Sequence, residues 1–289
     1  MRPRVVYVHD VAWDPADLID LDAYPLLDTA SERRSAVVAD ARASLIAIGA
    51  AELSGFLSPA GLAELQANAE SVLDCAHRSE GPATAYLEFP DFSLEEGHPR
   101  RWLGYGGVGA VARDLFDDDS PLRWLYEWDP LTDFIAAILG LSEVFRYADP
   151  LGGLNLAIMR SGDQLQWHFD QTDFVVSLAI RDAEHGGDFE VVPRIRSADD
   201  ERYEAVAAVL DGHDHSSVLR LGMRPGTLLV FEGRHSLHRV TPIEGTTSRL
   251  VGLLGYDTRP GTMSSDLLKM IRYGRLEPGQ EPRQFFEPA

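Results

Sequence analysis

The chain contains one cysteine, Cys75, and one lysine, Lys269, among 289 residues. A single thiol excludes an intramolecular disulfide and any thiolate metal cluster. With lysine nearly absent, the cations are almost all arginines. Recognition of a buried carboxylate therefore falls to a guanidinium, which can bind it through two parallel bonds. Long apolar runs are missing too, and none approaches the ~18 residues that a membrane span needs. Met1-Arg2-Pro3-Arg4 has no apolar signal core behind it, so a cytoplasmic location is the expectation. Positive charge is scarce: the formal net charge is −20. That argues against nucleic acid or an anionic membrane as a partner, because phosphate binding relies on positive surface. At 45% hydrophobic the composition is that of an ordinary globular chain, long enough for one large domain with its own core.

The texture changes about halfway. Residues 1–35 read as irregular and acidic, with Pro3, Pro15 and Pro25. Helical patterns follow from Ser35 to Ala50, from the Ser58-Pro59 cap to about His77, and from Ser120 to Leu139 before Gly140. The stretch from Ser79 to Asp117 reads as loop. From Leu151 onward, short β-type runs separated by turn residues take over. They are Leu154–Met159, Phe174–Ile180, Asp188–Val192, Val218–Leu221, Thr227–Phe231, His238–Thr241 and Ser248–Tyr256, with a helical insert around Glu201–Leu210. Such a set predicts a double-sheet jelly roll. The expected fold class is α+β, a double-stranded β-helix (jelly-roll) core buttressed by N-terminal helices. One domain over 1–289 is expected, with 1–150 as mainly helical support, 151–258 as the jelly-roll core and 259–289 as a C-terminal tail.

Within this frame, Gln166-Trp167-His168-Phe169-Asp170 carries the chemistry. An imidazole and a carboxylate two residues apart leave an extended strand on the same face and can chelate one divalent metal. His238, which opens another strand, supplies a third ligand. Two neutral imidazoles and one carboxylate on one face of Fe(II) leave room on the opposite face for a bidentate 2-oxo acid and then O2. Arg249 follows His238 by eleven residues, where the next strand could return it to the same pocket. There it would pair with the distal carboxylate of 2-oxoglutarate. Asn155 and Trp167 are candidates for lining that co-substrate pocket, with packing as the other reading.

Other histidines compete for the metal. His235 and His238 are three apart and would face opposite sides of a strand, so only one can point inward; Val240 and Arg249 favour His238. His213 and His215 sit in a polar insert, and His185 precedes the Gly186-Gly187 turn.

Several motifs together give the chain a resemblance. They are Asp149-Pro150-Leu151, Gln166-Trp167-His168-Phe169-Asp170, Gly186-Gly187-Asp188-Phe189-Glu190, Pro193-Arg194-Ile195-Arg196, the segment Gly233 to Val240, and Tyr256-Asp257. Across most of residues 85–275 the chain resembles the iron/2-oxoglutarate oxygenases of free amino acids, a group that includes the lysine halogenases and their hydroxylase relatives. The resemblance implies a jelly roll, Fe(II), 2-oxoglutarate, O2 and a polar or basic amino-acid substrate, often in natural-product biosynthesis. In the halogenases a glycine replaces the metal-binding carboxylate and frees a site for chloride. Here Asp170 is present, which points to the hydroxylase branch. The same oxidant used for desaturation or cyclopropane formation is one alternative, and a non-catalytic jelly-roll binding protein is another. For a zwitterionic substrate, Arg100 or Arg101 could meet the carboxylate, and Asp149 or Asp257 the ammonium or a basic side chain. Asp173 reads more simply as a turn residue.

Overall fold

The structure, a computed structural model, describes residues 14–280. Pro3, the Met1–Arg4 segment and residues 281–289 of the tail lie outside the described residues. Two antiparallel sheets face each other. Their strands, in chain order, are β1 (Ala50–Leu53), β2 (His77–Ala83), β3 (Gly104–Ala112), β4 (Phe145–Arg146), β5 (Leu154–Met159), β6 (Leu165–His168), β7 (Val175–Arg181), β8 (His185–Gly186), β9 (Phe189–Val192), β10 (Leu219–Leu221), β11 (Leu228–Phe231), β12 (Leu237–Val240), β13 (Ile243–Glu244), β14 (Arg249–Leu254) and β15 (Tyr256–Asp257). The larger sheet runs β1-β11-β7-β14-β5-β3-β2 and the smaller β10-β9-β12-β6, while β13 pairs with β8 and β15 with β4. This is the jelly-roll core with its helical buttress.

Apolar packing sorts by strand face. Leu229, Phe231, Val251, Ala157 and Met159 of the large sheet meet Phe189, Val191 and Val240 of the small one, closing the space between sheets. The alternate residues, among them Leu156, Ile158, Val176, Leu178, Val230 and Leu250, face outward onto the helices. Those helices are α1 (Glu32–Ile48), α2 (Pro59–Val72), α3 (Pro121–Glu127) and α4 (Asp129–Leu139). Two further helices are α5 (Tyr203–Leu210), which covers the outer face of the small sheet through Val206 and Val209, and α6 (Asp266–Tyr273). No helix is long and apolar enough to cross a membrane among the described residues.

Three elements depart from the sequence reading. The helix expected from Ser120 to Leu139 breaks at Trp128. Pro130 has no N–H to give to the carbonyl of Tyr126, and that carbonyl instead accepts from Arg146 Nε at 2.8 Å and the Tyr256 hydroxyl at 3.3 Å. The N-terminal half is not only helical support: β1, β2 and β3 all join the large sheet. β3 reads as a loop because it holds Gly104, Gly106, Gly107 and Gly109. Two of these glycines are closely approached by side chains. A Cβ on Gly104 would lie 2.2 Å from the Trp102 ring, and one on Gly106 would lie 2.2 Å from Gln166 Oε1. The third departure is α6, a helix inside the expected tail.

Candidate metal centre

His168 ends β6 and His238 lies in β12, and the antiparallel register sets the two directly opposite each other. Their rings are 4.2 Å apart, centroid to centroid. Each ring donates through Nδ1–H to the carbonyl two residues earlier: His168 to Gln166 at 2.7 Å, His238 to Ser236 at 2.9 Å. Those bonds fix the tautomer and leave both Nε2 lone pairs free, the arrangement a ligating histidine requires. Asp170 Oδ2 lies 3.2 Å from His238 Nε2, and Oδ1 lies 4.0 Å from His168 Nε2. One donor atom from each residue falls within 4.8 Å of the others.

The electrostatics fit a cation at the centre of this set. Burial, then the neighbouring His238, pushes His168 down to about 4, so it stays neutral. Burial works against ionised Asp170, yet His238 and then His168 prevail and hold its carboxyl at about 2. Burial also works to lower His238, but Asp170 outweighs it and the ring is raised. Asp170 Oδ2 is buried and closes no hydrogen bond. Enclosing a carboxylate oxygen without a donor is costly, and a metal would remove the penalty. Two neutral imidazoles, one carboxylate and no thiol suit Fe(II).

Asp170 is seated by a residue the sequence reading passed over. Its N–H donates to the Gly233 carbonyl at 3.1 Å. A Cβ on Gly233 would fall 2.2 Å from Asp170 Oδ2, so the carboxylate occupies space that only glycine leaves open.

Arg249 starts β14 on the strand's inner face, opposite Met159 of β5. It is 6% exposed, and burial lowers its guanidinium to about 10 despite the fields of Asp182 and Asp188. Among the described residues it has no ion pair or hydrogen bond. A desolvated guanidinium facing the inter-sheet space can pair with an incoming carboxylate. Asn155 shares that face, opposite Leu253, with its Oδ1 buried and unpaired. The four-residue offset along the ladder puts it about 13 Å from Arg249, too far to bind the same carboxylate. Trp167 does not line this pocket. Neighbouring strand residues face opposite sides, and Trp167 packs outward with Val206, Val209 and Leu237 under the Arg239 guanidinium. Gln166, over Gly104 and Gly106, shares the ligand face instead.

The Halogenase D family profile matches residues 33–266. The chain belongs to that family. Its fold is similar to that of solved iron/2-oxoglutarate oxygenases. An oxidoreductase of the 2OG-Fe(II) oxygenase family from Burkholderia pseudomallei is 17% identical, with a TM-score of 0.50 over 78% of this chain and 92% of that one. AviO1 from Streptomyces viridochromogenes Tue57 is 19% identical, with a TM-score of 0.52 over 78% and 96%. The non-heme α-ketoglutarate-dependent carbocyclase SnoK of nogalamycin biosynthesis is 14% identical, with a TM-score of 0.53 over 88% and 95%. No curated protein matches the chain. The family makes it an oxidoreductase, and His168, Asp170 and His238 form a cluster that could hold its metal.

In this Halogenase D family member the structure commits the expected substrate residues elsewhere. Arg100 bonds Glu88 at 2.5 Å and the Tyr203 hydroxyl at 3.0 Å, lying over Tyr86 on the outer side of the small sheet. It ties the α5 insert down, away from the ligand face. Arg101 bonds the Leu94 carbonyl. Asp149 is 0% exposed, and its oxygens accept from the N–H groups of Leu151 and Ser264, both at 2.9 Å. Burial works to raise it, yet those backbone donors together with Gly152 keep it ionised and lowered. It anchors a turn through these bonds. Asp257 caps its own turn, accepting from Thr258 and Arg259 N–H and from Thr262 Oγ1. Asp173 pairs with Arg234 at 2.5 Å. Of the competing histidines, His185, His213 and His215 lie outside the ligand cluster, and His235 offers its carbonyl to Arg196 N–H. One tyrosine went unnoticed: burial, then Asp257, pushes Tyr147 up to about 12, with Asp170 adding to the rise.

Proposed function

We propose that the chain hydroxylates an unactivated C–H bond of a free polar or basic amino acid, in natural-product biosynthesis. The observation that carries this reading is Asp170. A carboxylate stands beside the two imidazoles where a halogenating centre, on the resemblance, carries glycine and chloride. Iron with 2-oxoglutarate and O2 supplies the oxidant, and one oxygen atom enters the substrate as the other enters succinate with release of CO2.

The chain's own residues then do three things. His168, Asp170 and His238 would hold the metal. Arg249 fixes the distal carboxylate of 2-oxoglutarate, which orients the 2-oxo acid end toward the ligands. The surrounding apolar side chains, Met159, Phe189 and Phe231 among them, exclude water from the reacting centre.

The test is succinate release with Fe(II) and a panel of free amino acids, followed by product mass. A gain of one oxygen atom, lost in Asp170→Gly, is the expected outcome. Loss of two hydrogens would instead assign desaturation or ring closure. Turnover unchanged in Asp170→Gly would overturn the ligand assignment.

A further inference from the structure

The helix α6 closes one end of the space between the sheets. Tyr273 packs on Ala110 and Ala112 of β3 and on Leu151. Both alanines share a strand face with Val108, which belongs to the inter-sheet core. The helix is firmly seated: Ser265 Oγ caps it by accepting from Leu268 N–H at 3.2 Å, and Lys269 bonds Glu277 at 2.6 Å with Asp149 at 3.7 Å.

Three residues beyond Lys269, on the same helix face, stands Arg272. Its Nη1 is buried and has no hydrogen-bond partner, and no carboxylate lies within ion-pair distance among the described residues. Its helix packs on β3, whose Gly104 and Gly106 lie against Gln166 of β6, the strand that carries His168, and its charge reaches both His168 and Asp170. An enclosed guanidinium nitrogen without an acceptor is unfavourable, and nothing in the helix requires it: a face that seats on Tyr273 and Lys269 would pack as well with an apolar residue. Arg249 is a separate cation, on β14 in the large sheet rather than on the helix that closes it. The site thus has two unpaired arginines, and 2-oxoglutarate accounts for one.

We propose that Arg272 receives the carboxylate of the substrate and so sets the reacting carbon against the open side of the His168–Asp170–His238 centre. The choice of an α-amino acid as the bearer of that carboxylate rests on the function proposed above; the anion receptor itself does not.

The experiment uses the full chain with Fe(II) and 2-oxoglutarate under anaerobic conditions. Wild type, Arg272→Gln and Arg272→Lys are titrated with free amino acids, with the matching acids that lack the α-amino group, and with the matching amines that lack the carboxylate. The readout is the change in the visible iron/2-oxoglutarate band, so it needs no turnover, and the band itself reports that each variant is folded and loaded. The expected result is binding of carboxylate-bearing probes in preference to amines, weakened about 10–100-fold in Arg272→Gln and less in Arg272→Lys. The affinity for 2-oxoglutarate stays unchanged. Equal binding in Arg272→Gln, amines bound as well as acids, or no carboxylate bound by wild type would overturn the proposal. So would a loss of 2-oxoglutarate affinity, which would assign Arg272 to the co-substrate. If acids lacking the amino group bind and amino acids do not, Arg272 stands and the amino-acid reading falls. If amino acids bind equally to wild type and Arg272→Gln, the reverse holds.

Discussion

His168 and His238 are cross-strand partners whose rings sit 4.2 Å apart, each turned by a bond from its own Nδ1 to the carbonyl two residues before it. The ladder between β6 and β12 therefore sets the two candidate ligands side by side through backbone contacts. Preorganisation of this kind spares the ordering cost that a flexible site would bear on binding. It also separates metal binding from folding, since the rings are held by backbone carbonyls rather than by the ion.

A divalent ion should consequently stabilise the folded chain through these ligands alone. At a hundredfold excess over its dissociation constant it adds about 2.7 kcal/mol, or roughly 5–10 °C in Tm for a chain of this size. Thermal unfolding with and without Mn(II) or Co(II) measures it. His168→Ala and His238→Ala should lose the rise, and a rise retained in both would place the ion elsewhere, at His213 and His215 for instance.

Gly233→Ala tests the seat of the carboxylate without touching a ligand. The Gly233 backbone is outside the left-handed region, so alanine introduces no backbone strain there. Its methyl group would meet Asp170 Oδ2 at 2.2 Å and Cβ at 2.9 Å, forcing the carboxylate out of line. Metal affinity should fall about 10–100-fold, read by titration with Co(II). Undiminished affinity would show that Asp170 is not held in place by this contact.

How far this site was legible follows from which contacts are local. His168 and Asp170 are two apart in one strand, so sequence alone puts them on one face. Arg249 was within reach because only the two-residue β13 and its turns separate β12 from β14. Trp167 takes its packing reading by the same alternation that puts His168 beside Asp170, since adjacency in a strand means opposite faces. Gly233, Tyr147 and Arg272 left no signal, because each meets the centre through tertiary packing rather than spacing. In the fold, β5 was legible to the residue from its run of apolar side chains. β3 was not, because its glycines exist to admit Trp102 and Gln166, and their removal of side chains erased the alternation that marks a strand.

Arg249 should behave oppositely in binding and in stability. Arg249→Met removes the proposed receptor for 2-oxoglutarate, whose affinity should drop about 10–100-fold. The ligand-free protein loses a buried, unpaired cation at the same time, a change that is often neutral or stabilising when an apolar residue fills the space. Thermal unfolding without 2-oxoglutarate should therefore give a Tm equal to or above that of wild type, with no further rise on adding it. A large fall in Tm would mean that Arg249 supports the fold through Asp182 and Asp188 instead.

Lys269, the only lysine in the chain, should behave as a structural residue. It is 2% exposed, bonded to Glu277 at 2.6 Å and 3.7 Å from the wholly buried Asp149. Lys269→Met leaves two enclosed carboxylates without their cation. Breaking a buried pair from one side costs about 3–5 kcal/mol, which chemical denaturation should show. Arg249 lies on β14, outside this cluster, so the 2-oxoglutarate affinity of the folded variant should be that of wild type. Adding Glu277→Leu removes one orphaned carboxylate and should restore part of the loss, because the penalty comes from the unpaired charge rather than from the missing bond. A double variant as unstable as Lys269→Met would show that the ammonium acts mainly on Asp149, and through it on the turn that seats α6 at the mouth of the site.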